Sequence, residues 1–257
     1  MARVALLRRL RQTVVSVSAL QRHNAIGNIS PFATSVRRSG YEDTIMNLKI
    51  GSHTKVLFQG FTGRQATFNA KECIEYGTKV FGGMKPGVGG VHLGLPIFPS
   101  VRSAVEKLKP DASAIYVRGN GTVAAMGEVI KNEIPLIVAV AEHIPIPDIL
   151  RVHQILKAQS KTRLVAANCP GLINSHGRCR IGFQPLPFFK EGNIAIVAKS
   201  GTLSYETVAA TTRAGLGQTY GINMGGDLLA GTNFIEAFPS FCRGLKDRRD
   251  YNGRGSG

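Results

Sequence analysis

From Lys55 onward, short apolar runs alternate with stretches of helical periodicity. The pattern predicts strands at residues 55–59, 78–81, 114–117, 136–140 and 164–166. Between them it predicts helices from the Gly60 turn to about Tyr76, then at 101–108, 123–131 and 149–158, the first closed by Gly77. The strands are apolar on both faces, and each is followed by a helix. That alternation predicts an α/β domain over residues 48–167, a parallel sheet with helices on both faces.

Asn168-Cys169-Pro170-Gly171 interrupts the pattern and predicts a domain boundary. A loop-rich stretch is expected up to Lys190, then a strand at 193–198 and a helix capped by Ser200 that runs to about Ala214. Gly221 to Gly226 reads as an apolar turn. Periodicity ends at Phe238, and the basic, glycine-rich residues 239–257 are expected to be disordered. Residues 168–238 thus hold only part of a second α/β domain, with few strands for a sheet of its own.

The first strand leads into Gly60-Phe61-Thr62-Gly63-Arg64-Gln65-Ala66, a G-x-x-G-x-x-G/A turn at the start of a helix. Glycines let the backbone approach a phosphate, and the helix N-terminus directs N–H groups at it, as in a Rossmann-like unit. Two glycines also serve many βα turns for geometry alone. NAD-binding units place an acid about 20 residues on; here no acid lies between Glu75 and Glu106. An adenosine ligand with an extra phosphate fits that better than NAD, and coenzyme A and NADP both qualify.

The formal charge of +16 invites a nucleic-acid reading, but residues 1–41 carry seven arginines and no acid, and without them the charge is +9. No basic stripe with interleaved aromatics runs through the body, so no nucleic-acid partner is expected. Residues 1–40 set Val4, Leu6, Leu7 and Leu10 against Arg3, Arg8, Arg9 and Arg11, the composition of a mitochondrial transit peptide, with cleavage expected near Arg37–Ser39 and the matrix as destination. Cys73, Cys169, Cys179 and Cys242 show no zinc-type spacing and read as free thiols; no metal is expected. No apolar run reaches the length of a membrane span.

Six blocks in order (GFTGRQATF, EYGTKVFGG, HLGLPIF, NCPGLIN, AKSGTLSYE and GGDLLAGTNFIEAF) resemble the alpha subunits of succinate–CoA ligase, from about Gly60 to Phe238. The resemblance implies a Rossmann-like CoA-binding domain followed by an incomplete flavodoxin-like ligase domain. It implies a heterodimer with a beta subunit that carries the ADP or GDP and magnesium sites. It also implies a tricarboxylic acid cycle reaction that interconverts succinyl-CoA, phosphate and nucleoside diphosphate with succinate, CoA and the triphosphate. By the same resemblance Thr62, Gly63, Arg64 and Gln65 form the CoA loop, and Val140, Ala141 and Glu142 a second CoA contact. Tyr205 contacts substrate, and Ser200, Gly201 and Thr202 form the helix N-terminus that faces the phosphoryl group.

The departures are specific. Val88 stands where the family has a CoA-contacting lysine, Arg118-Gly119-Asn120-Gly121 replaces a proline-rich loop, and His143 replaces a glycine. The family's Gly-His-Ala-Gly segment has no counterpart among these residues, so no catalytic residue is named and no stable phosphoryl adduct is expected on the chain as written. Three readings follow: a ligase alpha subunit, a noncatalytic CoA-binding paralogue or truncated product that pairs with the beta subunit, and an NADP-linked dehydrogenase.

Overall fold

A computed structural model describes residues 40–242. The expected transit segment and most of the basic tail lie outside the described residues. A 3-10 helix, Tyr41–Leu48, leads into β1 (Lys55–Gln59), α1 (Arg64–Tyr76), β2 (Lys79–Met84), β3 (Gly90–His92), β4 (Leu95–Phe98), α2 (Val101–Leu108), β5 (Ala112–Ile115), α3 (Gly119–Lys131), β6 (Leu136–Ala139), α4 (Ile146–Lys157) and β7 (Arg163–Val165). There follow β8 (Gly171–Asn174), β9 (Cys179–Gly182), a short 3-10 turn at Leu186–Phe188, β10 (Glu191–Ala198), α5 (Gly201–Arg213), β11 (Gln218–Asn223) and α6 (Phe234–Cys242).

The first seven strands form one sheet in the order β3-β4-β2-β1-β5-β6-β7. All its pairings are parallel except that of β3 with β4. Strand order reverses at β1, which pairs with β2 on one side and β5 on the other. The crossovers leave in opposite directions there, and a crevice opens outside the carboxyl ends of the strands. Gly60, at φ +73°, stands so close to β5 that a Cβ would meet the Tyr116 carbonyl oxygen at 2.6 Å.

Alternation along the strands divides the core cleanly. Leu57, Ile115, Ile137 and Ala139 face a cluster with Val101 and Ala104 of α2, Met126 and Val129 of α3, and Ile149, Val152 and Leu156 of α4. Val56, Phe58, Ala114 and Val138 face the other way, against Ala70 and Cys73 of α1 and against Leu172, Cys179, Ile181 and Ile222. The second face is therefore covered chiefly by α1 and a second sheet, with Leu48 of the 3-10 helix and Ala237 of α6 completing the cluster. That sheet has four strands in the order β10-β11-β8-β9; β10 and β11 are parallel, and the other pairs antiparallel. Both sheets belong to one compact unit.

Several elements differ from expectation: β3 and β4, an antiparallel pair at the edge of the first sheet, lie outside the predicted strands, and the second sheet has four strands where few are expected. The stretch expected as loop contains the β8–β9 hairpin, in which Gly171 (φ +103°) pairs with Gly182 (φ +133°). A Cβ on Gly171 would lie 1.9 Å from the Ile181 carbonyl oxygen, and one on Gly182 would lie 1.9 Å from that of Pro170, just before β8. The apolar turn at Gly221–Gly226 begins inside a strand, since β11 runs to Asn223. Helix α6 continues past Phe238 to Cys242, so residues 239–242 are helical where the sequence predicts disorder. Among the described residues no helix is long and apolar enough to cross a membrane, and no group of His, Cys, Asp and Glu could hold a metal ion.

Candidate functional site

Helix α1 buries Ala66, Asn69, Ala70 and Cys73, spaced to form one face against the core. Its N-cap, Gly63, has extended backbone and no side chain to cap the helix. The first-turn amides of Arg64, Gln65 and Ala66 thus lack intrahelical acceptors and face outward with the positive end of the helix dipole. The Gly63 amide itself is engaged, donating to the Gly60 carbonyl at 2.8 Å. The amides without an intrahelical acceptor are thus those of Arg64, Gln65 and Ala66, since the Thr67 amide donates to the Gly63 carbonyl at 2.8 Å.

These residues open onto a cleft of about 1430 Å³ at the strand-order reversal. Arg64, Gln65, Phe68, Asn69 and Glu72 of α1 form one wall. Tyr116 to Asn120, after β5, and Val140 to His143, after β6, form the second. Phe183 to Pro187, after β9, form the third. Arg64 and Arg118 bring positive charge to this cleft, while Phe68 and Phe183 expose aromatic surface at its edge. Its backbone is tightly fitted: a Cβ on Gly119 would meet the carbonyl oxygens of Glu142 and His143 at 2.7 and 2.8 Å. His143 holds the left-handed conformation (φ +60°) despite its side chain.

A second cleft of about 550 Å³ lies at the start of α5 and shares Glu142 and Phe183 with the first. Lys199, Ser200, Gly201, Thr202 and Tyr205 line it, with Asn168 and Pro170 opposite. The Ser200 hydroxyl accepts from the Leu203 amide at 3.5 Å, a long cap. The Tyr205 hydroxyl is buried without a hydrogen-bond partner, and burial pushes its pKa up to about 12.

The structure thus brings Arg64, Gln65, Val140, Ala141 and Glu142 to one cleft and Ser200, Gly201, Thr202 and Tyr205 to the adjoining one. Thr62 and Gly63 sit in the turn just before α1 and line neither cleft. Val88 lies exposed in the β2–β3 loop and lines neither. Sequence reasoning missed Phe68, Tyr116 and the Phe183–Pro187 stretch. The only sequence signal for the last is its run of aromatic residues and prolines after a glycine.

A pH dependence follows from burial. Tyr205 and Tyr41 both titrate near 12 in the folded chain, against about 10 for an ordinary phenol, chiefly because burial disfavours the phenolate. Between those values the folded chain keeps protons that the unfolded chain has released. Their contribution to stability is complete below about pH 10 and is lost as pH rises toward 12. Burial also pushes the Cys169 and Cys179 thiols from 9 up to about 12, so melting temperatures measured from pH 8 upward should begin to fall near pH 9, and the part of the fall above pH 10 should be shallower in Tyr205→Phe.

Residues 51–143 match the family model described as the CoA binding domain, which ends at the His143 edge of the larger cleft. The succinate–CoA ligase [ADP-forming] alpha subunit of Staphylococcus aureus (strain Mu50) is 39% identical over 197 residues, 76% of this chain and 65% of that protein. Its counterpart from Staphylococcus epidermidis is 38% identical over the same shares. The chain thus spans 65% of the length of these relatives. Among solved structures, ATP citrate lyase from Methanosaeta concilii in complex with (3S)-citryl-CoA superposes with a TM-score of 0.63 at 16% identity, covering 77% of this chain and 35% of that one. The dinucleotide-forming acetyl-coenzyme A synthetase 1 of Ca. Korarchaeum cryptofilum gives 0.59 at 17% identity, covering 74% and 42%. These two share the fold. With the ordered blocks and the cleft they surround, the alignments establish that this chain is a homologue of succinate–CoA ligase alpha subunits and carries a CoA-binding domain.

Proposed function

We propose that the larger cleft binds coenzyme A with its phosphates at the start of α1 and its thiol directed toward the smaller cleft. The chain would act there as the alpha-type subunit of a succinate–CoA ligase, paired with a beta subunit in the mitochondrial matrix. The observation that carries this reading is the junction at Glu142 and Phe183, where two clefts, each bordered by a helix N-terminus, share a wall. The α1 end and Arg64 suit the phosphates of CoA. The α5 end, with Lys199 and the Ser200 and Thr202 hydroxyls, suits a small anion such as phosphate or a carboxylate. A thioester carbonyl at the junction would meet the anion held at α5, the arrangement needed for phosphate to attack succinyl-CoA and release the thiol. Nucleotide and magnesium belong to the beta subunit in this reading, and no residue of this chain is assigned the phosphoryl-carrying step.

The full chain, coexpressed with a succinate–CoA ligase beta subunit, should copurify with it as a heteromer and retain CoA. A chain that stays apart from the beta subunit in the presence of CoA would remove the ligase reading and leave a lone CoA-binding module. Val88 provides a further check, because the resemblance places a CoA-contacting lysine there. Val88→Lys adds a charge at an exposed loop, where such contacts contribute up to about 1 kcal/mol. CoA affinity should rise about fivefold, and the gain should disappear at high ionic strength.

A further inference from the structure

Two side chains in the walls of the larger cleft leave polar atoms unanswered. Gln184 is fully buried, yet neither its Oε1 nor its Nε2 has a hydrogen-bond partner. The Tyr116 hydroxyl is also buried and also unpartnered. Buried polar atoms are nearly always paired, so three unpaired atoms on two residues that line one cleft are candidates for bonds to a ligand there.

Both residues are held in place by other parts of the fold. The Gln184 carbonyl accepts from Arg180 Nη1 at 2.9 Å, which fixes the backbone from which the side chain projects. The Tyr116 ring stacks on Phe58, centroids 5.4 Å apart and planes 5° from parallel. They come from different walls, Tyr116 from the end of β5 and Gln184 from the stretch after β9, and both line the cleft.

Their chemistry is complementary to a neutral group. A glutamine side chain offers a carbonyl acceptor and N–H donors, and a phenol offers one O–H and lone pairs. A secondary amide presents one carbonyl and one N–H, matching that set. Arg64 and Arg118 line the same cleft, but Gln184 and Tyr116 offer no formal charge of their own, and Gln184 adjoins Phe183, which the two clefts share. Coenzyme A carries its secondary amides on the arm between pyrophosphate and thiol, and its adenosine phosphate half carries none.

We propose that Gln184 and Tyr116 recognise a secondary amide of the CoA thiol arm and so determine that the cleft takes CoA in preference to an adenosine phosphate alone. This rests on the CoA reading of the cleft. The atoms are closed to water, so the contact forms as the Gln184 amide turns toward the cleft that its residue lines.

Calorimetric titration of the full chain with CoA and with adenosine 3′,5′-bisphosphate, which lacks the arm, tests it. Gln184→Leu keeps the side chain's size and removes its polar atoms; Tyr116→Phe removes one oxygen from a stacked ring. Each variant should bind CoA about tenfold more weakly than wild type while its bisphosphate affinity stays unchanged. If wild type binds CoA and both variants match it, the amide assignment is wrong and the CoA reading stands. If Tyr116→Phe weakens both ligands equally, the residue is structural and the assignment is again wrong. If wild type binds neither ligand, the CoA reading itself fails and the assignment with it. Should Gln184→Leu fail to fold, seen as loss of both ligands together with the folded-state circular dichroism, Tyr116→Phe alone decides.

Discussion

Arg180→Ala should destabilise the chain by about 3 kcal/mol, the lower end of what breaking a buried ion pair entails, because its partner Glu72 is about a third exposed. The guanidinium is fully buried in β9, and all its N–H groups are taken: Nε by Cys73 Sγ at 3.4 Å, Nη1 by Glu72 Oε2 and the Gln184 carbonyl at 2.9 Å each, and Nη2 by the Asn69 carbonyl at 3.2 Å and Oδ1 at 3.3 Å. Three of those partners, Asn69, Glu72 and Cys73, lie on two adjacent turns of α1, and the fourth is in the stretch after β9. Removing the side chain leaves a void and several unanswered acceptors beneath two walls of the cleft. For a chain of this size the melting temperature should drop by roughly 10 °C, read by thermal denaturation. Arg180→Lys, with three donors in place of five, should lie between alanine and wild type. CoA binding should weaken in the same order, because Asn69, Glu72 and Gln184 line the cleft.

Gly83→Ala should have a comparable effect by the opposite mechanism. A Cβ there would lie 2.1 Å from Cγ and Cδ1 of Phe61 and 2.2 Å from its Cβ. Phe61 is fully buried between Phe58, at 6.0 Å between centroids, and the His92 ring, edge-on at 5.1 Å, so it has little room to retreat. Overpacking of this kind destabilises by about 1–3 kcal/mol, and the contact distance places this case at the upper end. Phe61 immediately precedes Thr62 and the start of α1, so the displaced ring carries the turn into α1 with it. CoA affinity should fall about tenfold along with stability. Gly127→Ala is the contrast: a Cβ in the middle of α3 meets nothing within 4 Å, and the change should be neutral or stabilise by up to about 1 kcal/mol, read by denaturant titration.

The parts of the fold that could be read from the sequence are those in which one physical signal dominates. β1, β5 and β6 are apolar on both faces because both faces are covered, and α1 shows its buried face at helical spacing. The turn at Gly60–Ala66 declared itself through glycines that the geometry requires, as the Gly60–Tyr116 approach shows. The second sheet was much less legible. In β9 the largest buried side chain is Arg180, so a core position reads as a surface one. In β11 Gly221 occupies a strand position packed against Ile173 and Phe189, where a side chain would crowd both, and reads as a turn.

The site divides in the same way. Residues attached to helix starts and strand ends were found, because the elements that carry them were found. Phe183 and Gln184 were missed because they reach the cleft through tertiary packing: the β8–β9 hairpin folds against α1 and delivers the stretch after it to the α1 wall. Tyr116 is the exception at a strand end, missed because its ring, stacked on Phe58, reads as a core residue of the predicted strand. Val88 shows the converse. The family resemblance marks its position, but its loop stands apart from the cleft lining, so any contribution to CoA binding depends on a long side chain reaching in.

The most direct test is calorimetric titration of the full chain with coenzyme A, repeated with NADP present as competitor. The account predicts saturable binding of one CoA per chain, little affected by NADP and weakened by substitutions in the walls of the larger cleft. Absence of CoA binding would contradict the CoA assignment outright, and displacement of CoA by NADP at comparable concentration would contradict it and return the cleft to a dinucleotide reading.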